Sequence, residues 1–67
     1  MKGQYIIIAF DLGDDTTQII TIYKPTMFAT CVQAVPGHST VSVWEASVTI
    51  DDIVQWFASD KVVISII

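Results

Sequence analysis

Apolar positions along this chain fall in short runs rich in Ile, Val and Thr, while leucine occurs once, at Leu12. β-Branched side chains lose rotamer freedom in helices and pack well on a pleated surface, so the bias predicts sheet over most of the chain. Gln4 to Leu12 reads as a first strand, with Ile6, Ile8 and Phe10 on one face and Tyr5, Ile7 and Ala9 on the other. Gly13-Asp14-Asp15 follows, a cluster that accepts left-handed backbone angles and predicts a hairpin turn. Thr17 to Lys24 alternates as a second strand, setting Thr17, Ile19, Thr21 and Tyr23 against Gln18, Ile20, Ile22 and Lys24. Pro25 ends it, because proline cannot donate to a ladder.

Met27 to Val35 and Thr40 to Val48 predict a further strand pair around Pro36-Gly37-His38-Ser39. In the fourth strand the bulky positions shift from Val41 and Val43 to Trp44, Ala46 and Val48. That change of parity predicts either a bulge or burial on both faces. Thr49-Ile50-Asp51-Asp52 then reads as a helix start. Thr49 caps, Asp52 stands at the reciprocal position, and both aspartates suit the positive end of the helix dipole. Val48 and Ile53 are placed to form a hydrophobic staple. Ile50, Ile53, Val54 and Phe57 fall on one helical stripe, with Asp51, Gln55 and Ser59 toward solvent. Lys61 to Ile67 returns to strand pattern, with Val62, Ile64 and Ile66 opposite Val63, Ser65 and Ile67.

The expected fold class is therefore α+β: a small five-stranded, mainly antiparallel sheet or partly closed barrel with one helix, in the order β-β-β-β-α-β. A helix of about ten residues is about 15 Å long and covers only part of one sheet face. The first and last strands are apolar on both sides, so both faces call for cover. Either the sheet curls onto itself, or a second subunit or partner buries the other face. The pattern favours a dimer or a partner.

Composition bounds the rest. The chain has 67 residues, 52% of them hydrophobic and 15% charged, enough for a packed core and too few for more than one domain, residues 1–67. Cys31, the single cysteine, cannot make an internal disulfide, so self-association is a remaining source of stability. Seven acidic residues stand against three lysines, Lys2, Lys24 and Lys61, with no arginine, for a net charge of −4. Phosphate recognition draws on Lys and Arg, so nucleic acid and anionic membrane surfaces are disfavoured as partners, and a basic protein surface is the fitting electrostatic one. The longest apolar run, Tyr5 to Phe10, is far shorter than the roughly 20 residues that cross a bilayer. Asp11 ends that run too early for a signal peptide, which favours a cytoplasmic address.

Candidate chemistry is sparse. Asp11, Asp14 and Asp15 lack the alternating oxygen ligands and closing glutamate of a calcium loop, and read as a solvated turn. His38 in its Pro-Gly turn, Ser39 and Cys31 imply no converging triad, and one Cys with one His is too few ligands for zinc. Cys31 reads as a small core residue. No catalytic, cofactor or metal site is expected, and the chain reads as no enzyme. Tyr23, Trp44 and Trp56 are large for so small a chain, and Trp44 adjoins Glu45; aromatics flanked by acids are the material of protein-binding hot spots. The expected partner-binding residues are thus Asp11, Asp14, Asp15, Tyr23, Trp44, Glu45 and Trp56.

Two resemblances attach to particular residues. Ile7-Ile8-Ala9-Phe10-Asp11-Leu12-Gly13 with Thr16-Thr17 resembles the first phosphate loop of the actin and heat-shock ATPase superfamily. That activity requires two lobes and a second phosphate loop, so here the segment reads as a hairpin turn. From Met27 onward, Phe28-Ala29-Thr30, then Val43 to Thr49, Asp51-Asp52 and the helix through Ala58 are similar to small phage-encoded inhibitors, the RNA polymerase inhibitors of lytic podoviruses among them. Single-domain anti-CRISPR proteins share the size and the sheet-plus-helix style. The resemblance implies a non-enzymatic protein-binding module, a phage or mobile-element inhibitor that blocks a host protein by surface contact, with a homodimer as its expected state. The alternative is a dimerising structural or accessory subunit.

Overall fold

Strand-rich composition and a two-turn helix assemble into a single antiparallel sheet with one covered face. The computed structural model describes residues 3–59 and the backbone of residues 62–66. Its elements are β1 (Tyr5–Gly13), β2 (Thr16–Tyr23), β3 (Phe28–Ala34), β4 (Val41–Ser47), α1 (Ile50–Phe57) and β5 (Val62–Ile66). Lys2, Lys61 and the expected last-strand residue Ile67 lie outside the described residues, as do the side-chain directions expected for residues 62–67.

The chain turns back on itself at each hairpin for a local reason. Between β1 and β2, Asp14 and Asp15 both have positive φ, 52° and 61°, and Gly13 pairs with Thr16. This is a two-residue type I′ connection, whose twist matches that of the strands it joins. Leu12 is the extra residue where the register shifts between Asp11 and Gly13, and the Gly13 N–H donates to Asp11 Oδ1 at 2.9 Å. β2 and β3 meet at Tyr23↔Phe28, with the Met27 N–H donating to the Tyr23 carbonyl at 2.8 Å. Met27 takes up a φ of 56° to close this loop. At the third turn the His38 N–H donates to the Val35 carbonyl, with Pro36 and Gly37 between them and Gly37 at φ 77°. Proline followed by a positive-φ glycine is the signature of a type II turn.

The expectation of a five-stranded, mainly antiparallel sheet or partly closed barrel is corrected in its closure and in which strands carry the core. The described core rests on four consecutive antiparallel strands, β1 to β4, and one short helix. β5 adds to the far side of β1, giving the lateral order β4-β3-β2-β1-β5 with every pairing antiparallel. The sheet is open, with no barrel closure, because α1 carries the chain from one edge, β4, to the opposite edge, β5. These two strands are not neighbours. The parity change in β4 resolves as a bulge: Cys31 pairs with Trp44 but Val32 with Ser42, so Val43 is the extra residue.

Register assigns the faces. Ile6, Ile8 and Phe10 of β1 lie opposite Ile22, Ile20 and Gln18 of β2, and β3 continues this face with Ala29 and Cys31. Ile8, Ile20, Ile22, Ala29, Cys31, Val48 and Ile53 form the buried cluster, with Ile6, Phe10, Met27, Trp44 and Trp56 packed against it. Helix α1 starts as the sequence dictates: Thr49 Oγ1 accepts from the Asp52 N–H at 3.1 Å, and Asp52 Oδ2 accepts from the Thr49 N–H at 3.0 Å. Val48 and Ile53 are both buried on either side of this capping box, as in a hydrophobic staple.

The helix stripe is also corrected. Of Ile50, Ile53, Val54 and Phe57, only Ile53 is buried; Ile50 is 66% exposed, Val54 57% and Phe57 44%. The helix is rotated so that Ile53 and Trp56 meet the sheet, because Trp56 stacks on Trp44 with ring centroids 6.0 Å apart. The remaining apolar positions, four and three residues apart, are left on its outer side.

Two substitutions test this account of the elements. Thr49→Ala removes one half of the capping box and is expected to cost about 1 kcal/mol, lowering the melting temperature by roughly 4–8 °C in a domain of this size. Asp15→Gly relieves the left-handed angle in the type I′ turn and is expected to stabilise by about 0.5 kcal/mol. Chemical denaturation monitored by tryptophan fluorescence reads both. A stable Thr49→Ala or a destabilised Asp15→Gly contradicts the assigned cap or turn.

Candidate functional site

Among the described residues, the sheet's second face carries a continuous uncovered surface. Strand alternation places Tyr5, Ile7, Ala9 and Asp11 of β1 on it, opposite Tyr23, Thr21, Ile19 and Thr17 of β2. β3 extends the same rows with Phe28, Thr30, Val32 and Ala34. The outermost row is aromatic: Tyr5 and Tyr23 approach with ring centroids 5.2 Å apart, and Phe28 is the register partner of Tyr23. Tyr5 and Phe28 are each 41% exposed and Tyr23 36%. Behind them Ile7, Ile19 and Val32 are half-buried, with no second layer over them among the described residues. β-Branched and aromatic side chains here have the spacing of a sheet core without the second layer that makes one.

The sequence-named residues separate into three places. Tyr23 lies in the aromatic row of the open face. Asp14 and Asp15 are exposed at the β1–β2 turn, about eight residues along the strand from that row, about 25 Å at strand rise, and Asp11 is exposed on the open face about six residues, about 20 Å, from it. Trp44 and Trp56 are half-buried on the opposite, helix-covered side, where their stack ties the β4 edge to α1. Glu45 follows Trp44 in sequence but points to the open face, exposed beside Thr30, its register partner. The fold thus brings Tyr23, Glu45 and, at its margin, Asp11 to one face and holds the two tryptophans together on the other.

Sequence reasoning named Tyr23 but missed Tyr5, Phe28, Ile7, Ile19 and Val32 as members of the same surface. The signal was the shared parity of Tyr5, Ile7 and Ala9 with Thr17, Ile19, Thr21 and Tyr23, and only the pairing register aligns them. The exposed helix stripe Ile50, Val54 and Phe57 was missed because periodicity reports an apolar side without saying which part of it meets the sheet.

Other chemistry is thin. A shallow hollow of ≈ 280 Å³ opens at the β4 bulge, lined by Thr30, Cys31, Val32, Ser42, Val43, Trp44 and Glu45. Its thiol, that of Cys31, is buried, and desolvation pushes its pKa up, away from the reactive thiolate. His38 is exposed on the type II turn. Among the described residues no three His, Cys, Asp or Glu side chains gather to hold a metal ion. No helix among them is long and apolar enough to cross a membrane.

The buried thiol gives a prediction with a definite sign. A folded pKa above the unfolded value means the native state holds its proton longer. This contribution is therefore present below the unfolded thiol range, about pH 8.5, and is lost as pH rises toward the folded pKa. Ellman's reagent is expected to react with Cys31 at the rate of unfolding, and that reaction to accelerate in alkali beyond the ordinary rise in thiolate. Immediate stoichiometric labelling of the native protein at neutral pH contradicts its burial.

With this geometry in hand, comparison with known proteins adds no relative: no protein-family model, no curated protein and no solved structure matches the chain.

Proposed function

We propose that the chain is a non-enzymatic protein-binding module, in the form of a small phage or mobile-element inhibitor that blocks a host protein by surface contact in the host cytoplasm. The observation that carries this reading is the arrangement of exposed apolar side chains. Tyr5, Tyr23 and Phe28 line one layer and Ile50, Val54 and Phe57 the other. Contiguous apolar surface on a small soluble domain marks interaction sites, whereas scattered single residues do not. The helix stripe, at positions i, i+4 and i+7 with Asp51 exposed beside it, fits a hydrophobic groove on a larger protein. The inhibitor form of the reading is supported by the resemblance of residues 27–58 to phage-encoded inhibitors. The charge of −4 supports a partner with a basic rim.

A second reading, a dimerising structural or accessory subunit, is favoured by the near absence of charge in the middle of the open sheet face, which lets that face meet its own copy.

Immobilised protein incubated with host lysate at low salt is expected to retain one protein in stoichiometric amount. Val54→Asp, at an exposed helix position, is expected to reduce that retention at least about tenfold, and Asp14→Lys with Asp15→Lys to reduce it less. Recovery of nothing above background, or equal recovery by the wild type and Val54→Asp, contradicts the inhibitor reading.

A further inference from the structure

The open sheet face, we infer, is the contact between two copies of this chain, packed face to face as a two-layer β-sandwich with the helices outside. The inference rests on the protein-binding reading and names one partner; the helix stripe remains free for another.

Three observations lead to a second copy rather than to a different protein. The first is charge. The rows Tyr5–Tyr23–Phe28 and Ala9–Ile19–Val32 and the pair Thr21–Thr30 carry none. Among the described residues the acidic groups of this face, Asp11 and Glu45, stand at its margins, near the end of β1 and on the edge strand β4. Two identical faces therefore meet with no like charges at their centre, the carboxylates of Asp11 and Glu45 being left on the rim, although the whole molecule is acidic. Asp14, Asp15, Asp51 and Asp52 lie on the turn and the helix, off the contact. A partner selected by charge would instead be drawn to the β1–β2 turn or the helix.

The second is area. Five paired strands about 4.8 Å apart, each about seven residues long at about 3.4 Å per residue, give a footprint of about 570 Å² per copy, or about 1,100 Å² for two. That clears the roughly 1,000 Å² expected of a specific interface, and side-chain relief adds to it. The third is shape. Half-buried Ile7, Ile19 and Val32 between threonines and small Ala9 and Ala34 make a low, corrugated surface, the kind that interdigitates with another sheet about 10 Å away. Edge pairing through β4 is one competing contact. The Val43 bulge and exposed Glu45 interrupt that edge, and bulges and charges are the usual means of blocking it.

Sedimentation equilibrium on the purified chain tests self-association without any host protein, so its outcome is separate from that of the lysate experiment. The wild type is expected to sediment at twice 7.4 kDa at high micromolar concentration. Thr30→Glu sets an unpaired carboxylate in the middle of the face at an exposed position, and is expected to weaken the dimer about 100-fold or more with an unchanged circular dichroism spectrum. Val41→Lys, on the β4 edge, leaves the dimer intact. Raising salt from low to molar tightens the wild-type dimer or leaves it unchanged, since only repulsion is screened; this reading stands even if Thr30→Glu fails to fold. A wild type that is monomeric at every concentration, a dimer dissociated by Val41→Lys, or one that loosens with salt overturns the inference.

Discussion

A helix of eight residues can cover one side of this sheet and no more. From that imbalance follow the composition of the core, the position of the tryptophans and the character of the remaining surface. The covered side holds Ile8, Ile20, Ile22, Ala29 and Cys31 under Ile53, closed at one edge by the Trp44–Trp56 stack. Each of the central strands spends half its side chains there. The other half, Tyr5, Ile7, Ile19, Tyr23, Phe28 and Val32 among them, is as apolar as many sheet cores and has no layer above it among the described residues. A domain this small buries only about 60% of the surface its unfolded chain exposes. Leaving one sheet face wet is costly unless association recovers it.

The crossover of α1 explains why the imbalance cannot be relieved within the chain. A small barrel would join its edges and enclose one face around a core of its own, without need of the helix. Here α1 leaves β4 and delivers the chain to β5 at the far edge, so the edges are held apart by the width of the sheet. The capping box and staple at Thr49 and Val48 fix where the helix begins, and Trp56 on Trp44 fixes its rotation. Ile50, Val54 and Phe57 are turned outward as a consequence, giving the molecule a second apolar surface on the opposite layer.

Much of this was legible in the residues because it depends on local physics. Alternation in Thr17–Tyr23, the Asp14-Asp15 turn, Pro36-Gly37, the Thr49–Asp52 cap and the β4 parity change each report on their own few neighbours. Closure was not legible, because it is decided by which edge β5 joins, a contact between residues more than fifty positions apart in sequence. Helix rotation was misread for a related reason: four apolar positions within two turns make a band wider than the strip that meets the sheet. The site was half visible. Tyr23 was singled out for its size, but its partners Tyr5 and Phe28 belong to different strands and become a surface only through register. Trp44 and Trp56 attracted notice for the same reason and stack on each other, half-buried, against the core on the opposite side.

Neighbouring isoleucines offer the most direct test, since Ile7 and Ile8, and Ile19 and Ile20, point to opposite sides of one sheet. Methyl NMR with a soluble paramagnetic probe reads each side separately. In dilute protein the account predicts strong broadening at Ile7 and Ile19 and little at Ile8, Ile20 and Ile22, with Ile7 and Ile19 becoming protected as concentration rises. Protection of Ile7 and Ile19 that is already complete at the lowest concentration, or broadening that is equal on both sides, would contradict it.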